Sequence, residues 1–151
     1  MPNKGPFFYE TNLKWLEGKA GVVAGSDLPG VSFGAPTEFG GPGKTWTPEH
    51  FYVAAAESCL MNTFLAIAEM SKLGILAYRS EARGKLEWIE GGGFRMTAIE
   101  ITPHLLVFTE SDVEKAVRVM KKAESACLVG RSMTAAISVS LKIAAVGQPA
   151  A

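Results

Sequence analysis

The sequence predicts an α+β domain of antiparallel strands with two inserted helices. Three observations carry that prediction. Runs of partly alternating apolar and polar residues, of the kind antiparallel strands show, are interrupted by only two helical stretches. The first of these helices is rich in alanine and apolar on most faces, as a buried, central helix is. No Gly-x-Gly-x-x-Gly follows a strand, and Gly43-Lys44-Thr45 lacks both the earlier glycine and the preceding buried strand of a phosphate loop. A doubly wound nucleotide-binding sheet is therefore not expected.

Taken in order, Phe7, Tyr9, Leu13 and Trp15 suggest a first strand, and Val22-Val23 its returning partner, with Gly18, Gly21 and Gly25 as punctuation. Asp27-Leu28-Pro29-Gly30 reads as a turn and Val31-Ser32-Phe33 as a short third strand. A Gly/Pro loop, Phe39 to Lys44, leads to Thr47-Pro48-Glu49: an N-cap, a proline suited to the first helical position, and an acid beside the positive end of the dipole. The long helix should run to about Leu73 and stop at Gly74. Ser80–Glu90 and Phe94–Phe108 follow as strands joined at Gly91-Gly92-Gly93. Pro103 points to an edge, a bulge or an end of the first segment. Thr109-Glu110-Ser111-Asp112 opens a second helix, roughly Ser111 to Ala126, with an apolar stripe of Val113, Ala116, Val117 and Met120. It ends near Cys127-Leu128-Val129-Gly130, and Ala135 to Val146 closes the chain as one alternating strand.

A chain of 151 residues suits one domain, spanning 1–151, with a substantial core. Lys+Arg and Asp+Glu are 15 each, and a dedicated nucleic-acid binder needs a basic surplus. The mean hydropathy of +0.16 is high for a small soluble monomer and hints at a large subunit interface. Met1 to Pro6 begins with turn formers and shows no signal-peptide pattern. Phe51–Ala68, the most apolar stretch, is interrupted by Glu57, Ser58, Cys59 and Asn62, too polar for an ordinary membrane span. The cytoplasm is the expected compartment. There the two cysteines are not expected to form a lasting structural bridge.

Cys59 is the position of most chemical interest. It is either a nucleophilic thiolate or a small apolar residue of the core, and burial by itself disfavours the thiolate. A working nucleophile there needs a cationic partner from outside the helix. Cys127 is either a resolving thiol or core packing; 68 positions separate the two cysteines, so spacing does not place them together. Glu49 is a cap charge or an active-site carboxylate. Ten residues of straight helix, about 15 Å, separate it from Cys59, so contact requires a helix break, a bridging side chain or a second subunit. Glu57 lies about 200° around the helix from Cys59 and is not assigned to its pocket. His50 and His104 stand alone, no Cys/His/Asp cluster has metal-ligand spacing, and Ser58 sits in no Gly-x-Ser-x-Gly elbow. No cofactor is implied.

At these residues a family comes into view. Thr47-Pro48-Glu49-His50-Phe51 through Ala55-Ala56-Glu57-Ser58-Cys59 resembles the Pro-Glu-x-Leu/Phe…Ala-x-x-x-Cys run of the OsmC/Ohr family of peroxide-detoxifying proteins. Ala123 to Met133 is similar to that family's second cysteine motif, and the Gly40-Gly41-Pro42-Gly43 loop also matches. The resemblance implies the OsmC-like fold, antiparallel sheets around two long central helices in an intertwined homodimer, with two sites at its interface. Cys59 would be the peroxidatic thiolate and Cys127 its disulfide partner, with Glu49 orienting a basic residue that keeps Cys59 ionised. Organic hydroperoxides, and hydrogen peroxide as a further candidate, would be the substrates, and an external lipoyl-type dithiol or small thiol the reductant.

One departure stands out. Better-studied members carry an arginine in the N-terminal hairpin, whereas Trp15 to Gly21 has none. Lys19 is the best positional match and Lys14 the next; Arg79, Arg83 and Arg131 are the other candidates. Lysine supplies the charge but not the planar fork that binds a carboxylate and a thiolate together. Two further readings follow: a non-catalytic relative that binds an apolar small molecule beside Phe51, Leu60, Met61 and Phe64, and a dimerisation module without a ligand.

Overall fold

A computed structural model describes residues 3–147, so Met1 and Pro2 of the turn-forming start lie outside the described residues. The chain resolves into two units, divided between Phe51 and Tyr52. The first unit is an antiparallel sheet of β1 (Asn12–Glu17), β2 (Ala20–Gly25) and β3 (Leu28–Gly34), in that spatial order. β1 starts at Asn12 rather than near Phe7. Asn12 already pairs with Ala24, and β2 ends one residue later, so no partner backbone remains for the residues before it. The turn between β2 and β3 tightens to Ser26-Asp27, and Leu28-Pro29-Gly30 joins β3 instead. Pro29 is tolerated because β3 is an edge strand, where a missing N–H need break no ladder bond. A 3-10 turn at Thr37–Phe39 follows. The loop is then tied back to the sheet by the Gly34 N–H, which donates to the Trp46 carbonyl at 2.8 Å.

The central helix, α1 (Pro48–Met70), starts as the sequence predicts. The Thr47 hydroxyl accepts from the His50 N–H at 3.2 Å and meets His50 Nδ1 at 2.8 Å. The helix ends three residues before Leu73, and not at a glycine. Leu73 N–H donates to Ala68 O at 2.8 Å and Lys72 N–H to Glu69 O at 3.0 Å, with Lys72 left-handed at φ 55. This is a Schellman ending with lysine in the place usually held by glycine, closed by buried Leu73 over buried Ala68. Gly74 serves a different purpose: a Cβ there would stand 2.9 Å from the Phe108 ring.

In the second unit, β4 (Ile75–Ile89) and β5 (Gly93–Val107) form a long hairpin around the turn Glu90–Gly92. β4 begins five residues earlier than its sequence pattern suggests. α2 (Glu110–Ala126) is capped by Thr109, whose N–H donates to Asp112 Oδ2 at 3.1 Å. Its buried stripe is Ala116, Val119, Met120 and Ala123, so Val119 replaces the expected Val117. After α2 come a single helical turn, α3 (Leu128–Arg131), and two short strands, β6 (Ala136–Val139) and β7 (Lys142–Ala145).

The closing strand is thus broken in two, and both pieces run parallel to β5, so this sheet is mixed. Pro103 explains the break. It lies in the central strand, fully buried, between Ile101, which pairs with Val139, and His104, which pairs with Lys142. Residues two apart on a strand point their backbone groups to the same side. Ile101 O accepts from Ser140 N–H on the β6 side, so the N–H that Pro103 lacks faces the gap between β6 and β7.

One buried cluster joins Ala56, Leu60, Phe64 and Ala68 of α1 to Ile99, Ile101, Leu105 and Val107 of β5 and to the α2 stripe. Burying each large side chain is worth about 2–3 kcal/mol. By length and a hydropathy of 1.4, α1 is apolar enough to cross a membrane, although its polar residues argued otherwise. Its buried positions follow the i, i+4 spacing of a helix packed by one face, and Leu65 and Met70 stay exposed.

Candidate active site

Two elements bring the cysteines together. Cys59 is half-buried on α1, on the stripe next to Ala56 and Leu60. Cys127 is buried at the joint between α2 and α3, where its extended backbone (φ −61, ψ 104) ends one helix and begins the other. Both thiols are free and belong to one packed cluster. Two residues that stand 68 positions apart in sequence are thus brought into one neighbourhood, where Leu128 and Val129 of the α2–α3 joint act on Cys59.

The two thiols differ in acidity. Burial raises the Cys59 thiol, the largest single influence. The backbone at Val129, the Cys127 side chain, Thr63 and the backbone at Leu128 act against it, and together they hold Cys59 below its ordinary value. Cys127 moves the other way. Burial raises it, the backbone at Gly130 opposes this only in part, and hydrogen bonding to Cys59 and the Cys59 charge add to the rise. The backbone of the Leu128–Gly130 turn thus favours ionisation at both sulfurs, and burial outweighs it only at Cys127.

Thr63, one turn beyond Cys59, donates its hydroxyl to the Cys59 carbonyl at 2.8 Å and lies 3.9 Å from Sγ. Beside Cys127 is a cavity of about 270 Å³. Ala56, Leu60 and Ile101 supply apolar walls, and Cys127, Glu124 and Arg131 the polar ones. Among the described residues Arg131 makes no ion pair, so its charge is available to this cavity.

The other candidate cations are placed differently. Tyr78, Ser80 and Gly84 of β4 face α1: Tyr78 packs on Phe64, Ser80 bonds Glu57, and Gly84 abuts Val53. Arg79 and Arg83 alternate with them and so lie on the opposite face of the strand, paired with Glu81 at 3.3 Å and Glu100 at 3.1 Å. Neither approaches Cys59. In the first unit, Lys19 donates to the Phe39 carbonyl at 2.7 Å, and Lys14 is exposed on β1. Glu49 Oε2 is buried without a hydrogen-bond partner among the described residues. α1 is unbroken from Pro48, so a helix break cannot bring Glu49 to Cys59. His104 is bonded to Glu81 at 2.7 Å, and no group of three or more potential metal ligands gathers among the described residues.

A second polar cluster lies between α1 and β4. Ser80 donates to Glu57 Oε1 at 2.6 Å, and the Tyr78 hydroxyl is buried without a partner. Burial, then the Glu57 charge, push Tyr78 up to about 12. The sequence reading missed this cluster, Thr63 and the Leu128–Val129 amides. Only Thr63 carried a local signal, its i+4 spacing from Cys59.

Residues 41–142, both cysteines included, match the family model for OsmC-like protein. The chain belongs to the OsmC-like family. A curated relative, the uncharacterized protein YmaD of Bacillus subtilis, is 26% identical over 139 residues, covering 90% of this chain and 91% of its own length. An OsmC-like protein of unknown function from Vibrio cholerae has a TM-score of 0.82 at 16% identity, with 90% of this chain and 99% of that one covered. An organic hydroperoxide resistance protein from Legionella pneumophila has a TM-score of 0.73 at 19% identity, covering 93% and 99%. These similar structures confirm the OsmC-like fold, including the two-helix α+β plan read from the sequence.

Proposed function

We propose that this OsmC-like protein is a thiol peroxidase for organic hydroperoxides, acting as a homodimer built from one domain, residues 1–151. The observation that carries the proposal is the pair of free cysteines gathered in one cluster, with the surroundings of Cys59 lowering its thiol and those of Cys127 raising its own. The hydroperoxide resistance protein among the similar structures supports the same reaction class. In this reading the Cys59 thiolate attacks the distal oxygen of the hydroperoxide. An S–O bond forms, the O–O bond breaks, and the alkoxide leaves and takes a proton to become the alcohol. Cys127 sulfur then attacks the sulfenic sulfur of Cys59; hydroxide leaves, gains the Cys127 proton and departs as water. An external dithiol returns two electrons to the disulfide. The cavity walls at Ala56, Leu60 and Ile101 suit an organic peroxide, and Arg131 is the cation this reading favours near the thiols. Glu49 and Lys19 are left for a site completed by a second chain. The apolar faces that α1 leaves uncovered favour such a dimer, and the cytoplasm fits the free thiols.

The test is a stoichiometric addition of cumene hydroperoxide to the reduced protein, following peroxide loss and intact mass. Wild type should form a Cys59–Cys127 disulfide, Cys59→Ser should be inert, and Cys127→Ser should stop at the sulfenic acid or its further oxides. Equal, slow consumption by wild type and Cys59→Ser would end the proposal. It would favour the second reading, an apolar-ligand binder, for which the engagement of Lys19 by Phe39 speaks.

A further inference from the structure

We propose that Thr63 is a positioning residue for Cys59, its hydroxyl passing from the Cys59 carbonyl to Sγ when the thiol ionises. The inference deepens the peroxidase reading and concerns the same thiol. In an α-helix the Cys59 carbonyl already accepts the Thr63 N–H. The 2.8 Å bond from the Thr63 hydroxyl is therefore a second bond to an acceptor that is satisfied without it. Sγ is 3.9 Å from the same oxygen, at the outer limit of contact with sulfur. Rotation about Cβ–Oγ turns the hydrogen from one acceptor to the other, and only a small tightening completes the bond. A thiolate is the stronger acceptor, because a hydrogen bond to a charged group is worth about twice one to a neutral group. With the thiol protonated, the carbonyl keeps the hydrogen.

The surroundings leave few competitors for that role. From the α2–α3 side, Cys127 and the amides of Leu128 and Val129 act on Cys59, and Arg131 and Glu124 line the adjoining cavity. From the sheet, the cavity is met by apolar Ile101, Ile137 and Val139. On α1 itself, Glu57 is held by Ser80. Thr63 is the side-chain hydroxyl in contact with Sγ, and it sits on the same rigid helix, so its distance does not depend on the α2–α3 joint.

The experiment measures the rate of Cys59 alkylation by iodoacetamide against pH, resolved by peptide mass, in wild type, Thr63→Val and Thr63→Ser. Removing the donor should raise the Cys59 midpoint by about one pH unit, so that below it Cys59 alkylates about tenfold more slowly. Thr63→Ser, which keeps the hydroxyl, should restore the wild-type rate within about twofold. Thr63→Ala carries the same test if valine does not fold. An unchanged midpoint in Thr63→Val, or an equal shift in Thr63→Ser, overturns the proposal. Peroxide consumption, read in parallel, separates the two ideas. A shifted midpoint without peroxide loss refutes the peroxidase reading and leaves the role of Thr63 standing.

Discussion

Coupling between the two thiols should be visible from both sides. In Cys127→Ala, Cys59 loses a hydrogen-bond donor to its thiolate. In Cys59→Ala, Cys127 loses both a hydrogen bond and a neighbouring charge that raise it. The midpoint of Cys59 should therefore rise and that of Cys127 fall. Cys59 is half-buried, so solvent screens the charge that Cys127 sees, and the fall at Cys127 is smaller than two charges in a dry interior would give. The lost S–H donor should move Cys59 by about half a unit to one unit. Site-resolved alkylation across pH measures both values, and Cys127→Ser, which keeps an O–H donor, should shift Cys59 less. If the two midpoints move in the same direction, or if neither moves, the sulfurs do not share a proton in solution and the basis for assigning attacker and resolver falls.

Three further outcomes follow from the fold. Tyr78→Phe removes a buried hydroxyl without a partner and should leave stability at neutral pH unchanged or raised by about 1 kcal/mol in urea titration. Because Tyr78 lies near 12 when folded against an ordinary value of 10, the native state holds its proton longer. Wild-type stability should thus fall as pH rises between those values, and the phenylalanine variant should lose less; a parallel fall would refute the assignment. Lys72→Gly relieves a left-handed lysine at the end of α1 and should stabilise by about 1 kcal/mol, seen as a higher midpoint of unfolding. Gly84→Ala drives a Cβ into Val53 Cγ2 and places it 2.6 Å from Met96 Cε. Val53 is stiff about χ1, so β4 must move from α1, at a cost of about 1–3 kcal/mol; an unchanged melting temperature would show that the contact yields freely.

Local chemistry by itself determined much of this protein. Thr47-Pro48 and Thr109 set the starts of both helices because caps act over three or four residues. The glycine-rich hairpin turn and the alternation along β5 were legible for the same reason. Pro103 was legible as an anomaly but not as a cause. Its meaning depends on which strand lies on the side of its missing N–H, and that strand is nearly 40 positions further along the chain. The end of α1 was misplaced because Leu73 folds back over Ala68 with lysine, not glycine, in the left-handed position.

The candidate site divides along the same line. Cys59, Cys127 and Glu49 were recognisable as chemically capable residues, and the motifs around the cysteines placed the chain in its family. Which thiol is the more acidic could not be read from either motif. It follows from the Leu128 and Val129 amides and the Thr63 hydroxyl around Sγ, and from the deeper burial of Cys127. The cations were equally beyond the sequence. Arg79 and Arg83 look interchangeable with Arg131 on paper, but strand alternation turns them to the far face of β4 while the α2–α3 joint carries Arg131 to the cavity. Sequence decides what a residue can do within a few positions of itself. Acidity and partnership are set by dielectric and distance, and those exist only once the helices and the sheet have packed.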